Sequence, residues 1–234
     1  MRWFYAQDIT SDTATITGDE NKHLNLVMRA KAGDHVVCFN GNGLVCECEV
    51  EITSKNQTTL KVVSKQEHKP RASELIVAAA AIKGERQDTL IRQATELGVT
   101  GIILLETERS EVKLKTQKID KIERQLVACC KQCHMPYLPK IKFSTIKEFL
   151  QKSKDFVIIC GSLNAKTTIL QQNFEKIKNS NVAVLIGPEG GFSPAEEDLI
   201  EKSGAIKITL GQNVLRADTA STMLISLAKT IKEW

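Results

Sequence analysis

Hydrophobic and polar positions along this chain change their period near residue 70. Before that point apolar residues recur at every second position. Leu44, Cys46, Cys48, Val50 and Ile52 alternate with Val45, Glu47, Glu49 and Glu51, which predicts a strand with one apolar and one largely acidic face. Thr13–Thr17, His35–Phe39 and residues 60–63 read as further short strands, and Asn40-Gly41-Asn42-Gly43 is the strongest hairpin signal in the chain. A small β-barrel is the expected closure, because unpaired strand edges are otherwise left open.

His68-Lys69-Pro70-Arg71 breaks this pattern and marks a domain boundary, giving domains 1–70 and 71–234. Beyond it, strand-length apolar runs alternate with helical periodicity. Residues 75–81, 99–105, 156–160, 182–186 and 205–210 read as strands; 85–97, 117–134 and 219–234 read as helices. A further helix has clear punctuation, with Ser193 as N-cap, Pro194 at its first position, Glu196 three residues after the cap and Gly204 just past its end. The alternation predicts an α/β domain with a parallel sheet, and residues 182–210 form a strand, helix, strand unit within it.

Two loops in that domain have unusual composition. Gly187-Pro188-Glu189-Gly190-Gly191 is Gly-rich and leads to a helix N-terminus, as phosphate-binding loops do. It matches neither G-x-G-x-x-G nor the P-loop pattern, and Glu189 would repel a phosphate. An acidic loop that exposes its backbone suits a ligand without phosphate that carries positive charge, and S-adenosylmethionine has both properties. The second loop, 211–218, places Arg216 beside Asp218 ahead of a Thr/Ser-rich helix start. Both loops lie at carboxyl ends of predicted parallel strands, where such sheets bind ligands. Taken singly, each also reads as a tight turn followed by a capped helix.

These residues carry a resemblance. IGPEGGFSPAEEDL followed by LGQNVLRADTA resembles the signature of the RsmE-type methyltransferases, SPOUT-superfamily enzymes that methylate N3 of a uridine in 16S ribosomal RNA with S-adenosylmethionine. Residues 83–98, ending Ala94-Thr95-Glu96-Leu97-Gly98, are similar to the family's first helix, and Glu108-Arg109-Ser110 to its E-R-S element. His23-Leu24, Val27-Met28-Arg29 and Gly33-Asp34 resemble its N-terminal domain, a PUA-like RNA-binding module. The resemblance implies a SPOUT domain with a deep trefoil knot, a homodimer packed through it, and the small ribosomal subunit as partner. Three departures stand out. Lys131-Gln132-Cys133-His134-Met135 replaces a segment in which the family commonly has Arg, Asn213 stands where it often has Arg, and Asp218 where it often has Glu.

On this reading the backbone of Ile186, Gly187, Glu189, Gly190 and Gly191 and of Leu210, Gly211, Val214 and Leu215 holds the methyl donor. Glycine permits the close approach. Arg216 stabilises negative charge on the uracil once its N3 proton leaves, with an ion pair to Asp218 or Glu189 as its structural alternative. Arg29, Arg109, Arg124 and Gln132 are the RNA-binding candidates. The proton acceptor stays open among Asp218, Glu189 and hydroxide. The stripe of Met223, Leu224, Leu227 and Ile231, with Trp234, suits either a dimer face or a core-facing helix.

Charge sharpens the RNA reading. Residues 1–71 hold 9 basic and 9 acidic groups, so the net +4 of the 234-residue chain comes from residues 72–234. Residues 109–154 carry 12 basic against 4 acidic groups, either a solvated face or a phosphate-contacting surface. Sparse aromatics argue against extensive stacking platforms for single strands.

No apolar run approaches the ~18 residues of a membrane span, and MRWFYAQD lacks a signal-peptide core, so a soluble cytoplasmic protein is expected. Seven cysteines without a secretion signal read as reduced, structural thiols. Cys130-Lys131-Gln132-Cys133-His134 fits a haem-attachment pattern but sits at the end of an amphipathic helix, and no metal is expected. Two rivals stay open beside the methyltransferase. A non-catalytic RNA-binding protein accounts for the barrel and the basic stretch but not for the paired loops; a nucleotide-dependent dehydrogenase lacks its G-x-G-x-x-G.

Overall fold

The structure is a computed structural model, and it describes residues 1–110, 112–114, 118–162, 165 and 174–232. The chain forms two compact units. One comprises Met1–Pro70 with Val127–Leu138, the other Arg71–Leu126 with Pro139–Trp234.

The first unit is built on a six-stranded sheet. Its strands are β1 (Trp3–Tyr5), β2 (Asp8–Ile9), β3 (Thr13–Thr17), β4 (His35–Phe39), β5 (Leu44–Thr53) and β6 (Gln57–Glu67), in the order β1-β4-β5-β6-β3-β2. The predicted hairpin forms between β4 and β5, with Gly41 and Gly43 at φ 75° and 99°. The expected closed barrel is instead a curled half-barrel. Its ends, β1 and β2, are strands of three and two residues that do not pair with each other, and edges this short offer little for another strand to join. Phe4, Ala14, Ile16, Leu24, Val36, Cys38, Cys46, Cys48, Val50 and Leu60 fill its main core. Ile52, predicted for the same apolar face, is 66% exposed, because a bulge between Val50 and Ile52 breaks the alternation. Between β3 and β4 lie α1 (Gly18–Lys22) and a π-helical turn (His23–Val27), neither of which the periodicity predicts. Asn21 holds this segment in place: its amide donates to the Ser54 and Lys55 carbonyls at 3.1 Å, and its oxygen accepts from Thr58 at 2.7 Å.

The second unit is a six-stranded sheet of β7 (Leu75–Ala80), β8 (Gly101–Glu106), β9 (Lys140–Thr145), β10 (Phe156–Gly161), β11 (Asn181–Ile186) and β12 (Ile206–Ile208). The order is β12-β10-β11-β7-β8-β9 and every neighbouring pair is parallel. All six residues of β7 are buried, as expected of a central parallel strand covered on both faces. On one face, Ile76 and Ala78 join Leu105, Ile158, Ala183 and Leu185 in packing against Phe149 and Leu150 of α4 (Ile146–Lys152) and Ile200 of α6 (Pro194–Lys202). The other face is covered by α2 (Glu85–Glu96) and α7 (Ala217–Lys232), which pack together and bury Leu90, Ile91, Leu224, Ile225 and Ile231. The remaining helices are α3 (Ile119–Cys133) and α5 (Phe174–Lys178).

The predicted strand, helix, strand unit forms as β11, α6 and β12. Its two strands are not neighbours, however, because β10 lies between them. Strand β9 and helix α4 were hidden in the basic stretch. Lys140 and Lys142 alternate with half-buried Ile141 and Phe143 on an edge strand, where lysine discourages further pairing. Among the described residues, no helix is long and apolar enough to cross a membrane.

Candidate functional site

Three chain segments leave the carboxyl ends of adjacent strands and enclose one pocket. Strand β11 ends at Ile186 and runs into Gly187, Pro188 and a turn closed by the Gly191 N–H donating to the Pro188 carbonyl at 2.8 Å. Gly191 has φ 69°, a conformation glycine adopts readily. Helix α6 then starts in a capping box: the Ser193 N–H donates to Glu196 Oε2 at 2.9 Å, and the Glu196 N–H to Ser193 Oγ at 3.3 Å. The second segment follows β12, where Gly211 takes φ 121° and exchanges hydrogen bonds with the Thr209 hydroxyl. The third is Gly161 and Ser162 at the end of β10, tied across the sheet by the Ser162 N–H donating to the Ile208 carbonyl at 2.9 Å.

The pocket has a volume of about 500 Å³, within the range of small-molecule sites. Ile186, Gly187, Glu189, Gly190, Gly191, Leu210, Gly211, Val214 and Leu215, the nine residues predicted to hold the methyl donor, all line it. Backbone and apolar side chains dominate this wall. Gly187 is tightly packed, since a Cβ there would sit 3.0 Å from the Phe192 ring, which would have to give way. A ligand with an apolar ring system and polar edges suits such a cradle.

The structure distributes the remaining predictions differently. Arg216 is exposed and opens α7 through its carbonyl, which accepts from Ala220 at 2.8 Å; its neighbours Leu215 and Ala217 line the pocket, and Arg216 is not among the lining residues. Glu189 forms an ion pair with Arg86 at the start of α2. The acidic character of the loop is therefore largely neutralised, and its charge alone no longer argues for a cationic ligand. One oxygen of Asp218 is buried without a hydrogen-bond partner among the described residues. Of the RNA candidates, Arg29 and Gln132 lie exposed on the first unit, Arg29 at φ 54°, and Arg124 is exposed on α3 in the second. Arg109 is the one that reaches the pocket, where its guanidinium donates to the carbonyls of Gly190 (2.8 Å) and Phe192 (3.3 Å).

Sequence reasoning missed four participants. Phe192 seals the floor behind Gly187, and Arg86 pairs with the loop. Glu197 lines the pocket with its charge met by Lys207 at 2.7 Å, an acceptor that raises the Lys207 pKa. Glu196 was legible as a capping residue, but its second oxygen accepts the Glu108 N–H at 2.8 Å, a contact 88 residues away in sequence. Asn213, noted above as a departure, also lines the pocket.

The haem-like stretch is accounted for by packing. Cys130 is buried, which pushes its thiol up to about 12, and donates to the Tyr137 carbonyl. Cys133 donates to the Cys129 carbonyl at 3.0 Å, and the His134 ring stacks on Trp3 with centroids 5.0 Å apart. Along α7 the apolar stripe divides: Leu224 and Ile231 are buried, while Met223 is 40% exposed; Trp234 lies outside the described residues.

With the site described, comparison with known proteins assigns the class. A family model described as an RNA methyltransferase domain matches residues 69–229, and one described as an RNA methyltransferase PUA domain matches residues 16–63. The chain belongs to the RNA methyltransferase domain family. Among its relatives is the ribosomal RNA small subunit methyltransferase E of Bacillus subtilis, 27% identical over 92% of this chain and 88% of that protein. The protein of the same name from Mesomycoplasma hyopneumoniae is 27% identical over the full length of both. A putative methyltransferase of Legionella pneumophila, solved in complex with S-adenosylmethionine, superposes with a TM-score of 0.89 at 25% identity, covering 97% of this chain and 96% of the other.

Proposed function

We propose that this protein is an S-adenosylmethionine-dependent methyltransferase acting on N3 of a uridine in the 16S RNA of the small ribosomal subunit, in the cytoplasm. The observation that carries the reading is the convergence of three strand-end segments on one pocket walled by backbone, at the carboxyl edge of a parallel sheet. Its resemblance to the RsmE-type signature supplies the reaction, and the names of its relatives supply the substrate class.

S-adenosylmethionine brings an electrophilic methyl group on a sulfonium. The chain's own contribution is to bind and orient. Backbone groups of residues 186–191 and 210–215 hold the donor, and Phe192 and Leu215 exclude water from its apolar part. The uridine must come from unpaired RNA or be flipped out, because N3 is hidden in a base pair. Arg216, exposed beside the pocket, stabilises the charge that develops on the uracil carbonyls. For the N3 proton, Glu189 is already engaged by Arg86, whereas Asp218 has an unpartnered oxygen; this favours Asp218 as acceptor. Arg29, Arg124 and Gln132 contribute contacts to RNA. The reading includes a trefoil knot in the second unit and a homodimer, for which exposed Val214 (76%) and Met223 supply apolar surface. Sedimentation at micromolar protein is expected to show a dimer; a single monomeric species counts against it.

Ligand-induced stabilisation tests the pocket. S-adenosylhomocysteine at about 100 times its Kd should raise the unfolding free energy by about 2.7 kcal/mol. NAD should leave it unchanged. Stabilisation by NAD alone would restore the dehydrogenase alternative.

A further inference from the structure

We infer that Arg109 and Glu196 form a two-point brace that sets the position of the methyl-donor loop, so that Arg109 is a positioning residue for the donor and not a contact to RNA phosphate. The inference rests on the pocket reading given above. It concerns a part of the site that neither the capping signal nor the basic stretch predicts.

The brace is built from contacts on both sides of one loop. Residues 107–110 after β8 close on themselves: the Ser110 N–H donates to the Thr107 carbonyl at 3.1 Å, and the Thr107 and Ser110 hydroxyls lie 2.7 Å apart. This small ring is then fixed to α6. Glu196, 6% exposed, uses both carboxylate oxygens, one for the Ser193 N–H of its own cap and one for the Glu108 N–H. A carboxylate accepting two backbone N–H groups in a buried position is a strong and directional anchor. From the ring thus anchored, Arg109 reaches forward and its guanidinium donates to the carbonyls of Gly190 and Phe192.

Those two carbonyls flank Gly191, the residue with φ 69° that turns the loop towards the helix. Holding both fixes the peptide planes on either side of the turn, and with them the backbone groups that face the pocket. The arginine stem also runs under Gly190, where a Cβ would lie 3.7 Å from Arg109 Cδ. Nothing else among the described contacts ties the Gly190 and Phe192 carbonyls to residues 107–110. Both bonds come from Nη1, which leaves that nitrogen no N–H for a phosphate.

The test separates the two roles. Arg109→Ala and Arg109→Lys are compared with the unaltered protein in two titrations, one of S-adenosylhomocysteine and one of a 16S RNA fragment across a salt series. The brace predicts affinity for S-adenosylhomocysteine about tenfold weaker in Arg109→Ala, the equivalent of 1.4 kcal/mol, with no change in the salt slope of RNA binding. Lysine should not restore it, because its ammonium ends one bond short of Nη1, the single nitrogen that meets both carbonyls. Glu196→Gln, which presents an amide N–H towards a backbone N–H in place of one acceptor, should weaken the same ligand without touching RNA. A phosphate contact predicts the reverse: unchanged S-adenosylhomocysteine affinity, a slope reduced by about 1 in Arg109→Ala, and rescue by lysine. That result overturns the inference. If the unaltered protein binds no S-adenosylhomocysteine, the pocket reading itself falls and the brace with it.

Discussion

Gly187→Val is expected to weaken S-adenosylhomocysteine binding roughly thirtyfold, about 2 kcal/mol, in the middle of the range for overpacking a fitted site. The position explains the size of the effect. An added Cβ would lie 3.0, 3.2 and 3.3 Å from three atoms of the Phe192 ring. That ring is 7% exposed and belongs to the core cluster with Phe149, Leu185 and Ile200, so it has little room to retreat. The loop must move instead, and it moves into the pocket. Calorimetric titration checks this, with a melting curve to show that the variant is folded. Unchanged affinity would mean that residues 187–191 do not contact the ligand.

Phe149→Ala is expected to give the largest loss of stability, about 3–5 kcal/mol by urea unfolding followed in the second unit. Phe149 is 2% exposed on α4, a helix of two turns capped by Thr145, whose hydroxyl accepts the Glu148 N–H at 3.3 Å. A helix this short is marginal alone and is held by its buried face. Removing the ring leaves a cavity between α4 and the sheet, lined by Ile76, Leu105 and Ile158 among others. Because Phe192 packs in the same cluster, the loss should also lower ligand affinity, linking core packing to the shape of the pocket. A loss below about 1 kcal/mol would show that the site collapses around the deletion and that the cluster is not rigid.

Much of this architecture is written in local pattern. The hairpin at Asn40–Gly43, the capping box at Ser193 and the wholly apolar run that becomes β7 are each determined by residues within a few positions of one another. What sequence alone did not reveal depends on distance. The order of the parallel sheet places β10 between β11 and β12, which no spacing rule dictates. Strand β9 was masked by its lysines, and that β1 and β2 stay unpaired with each other at the ends of the first sheet is set by no local signal. At the site, the nine predicted positions that line the pocket were recognisable because glycine-rich loops at strand ends carry their own signal. The partners of those loops were not. Arg86 meets Glu189 across 103 residues and Arg109 meets Gly190 across 81, and charged residues on predicted helices and loops look alike until the fold joins them.

The assignment of Arg109 shows the consequence. Counted in a basic stretch, it reads as one more cation for RNA; in the structure its Nη1 donates to the backbone carbonyls of Gly190 and Phe192 beside the pocket. Local excess of charge therefore overstates the number of groups available to phosphate.

The measurement that bears most directly on the central claim is transfer of labelled methyl from S-adenosylmethionine to small ribosomal subunits lacking this modification, followed by nucleoside analysis of the RNA. Label is expected in 16S RNA, recovered as 3-methyluridine. Label in another nucleoside would contradict the assigned atom, and absence of label from a protein that still binds S-adenosylhomocysteine would contradict the assigned substrate.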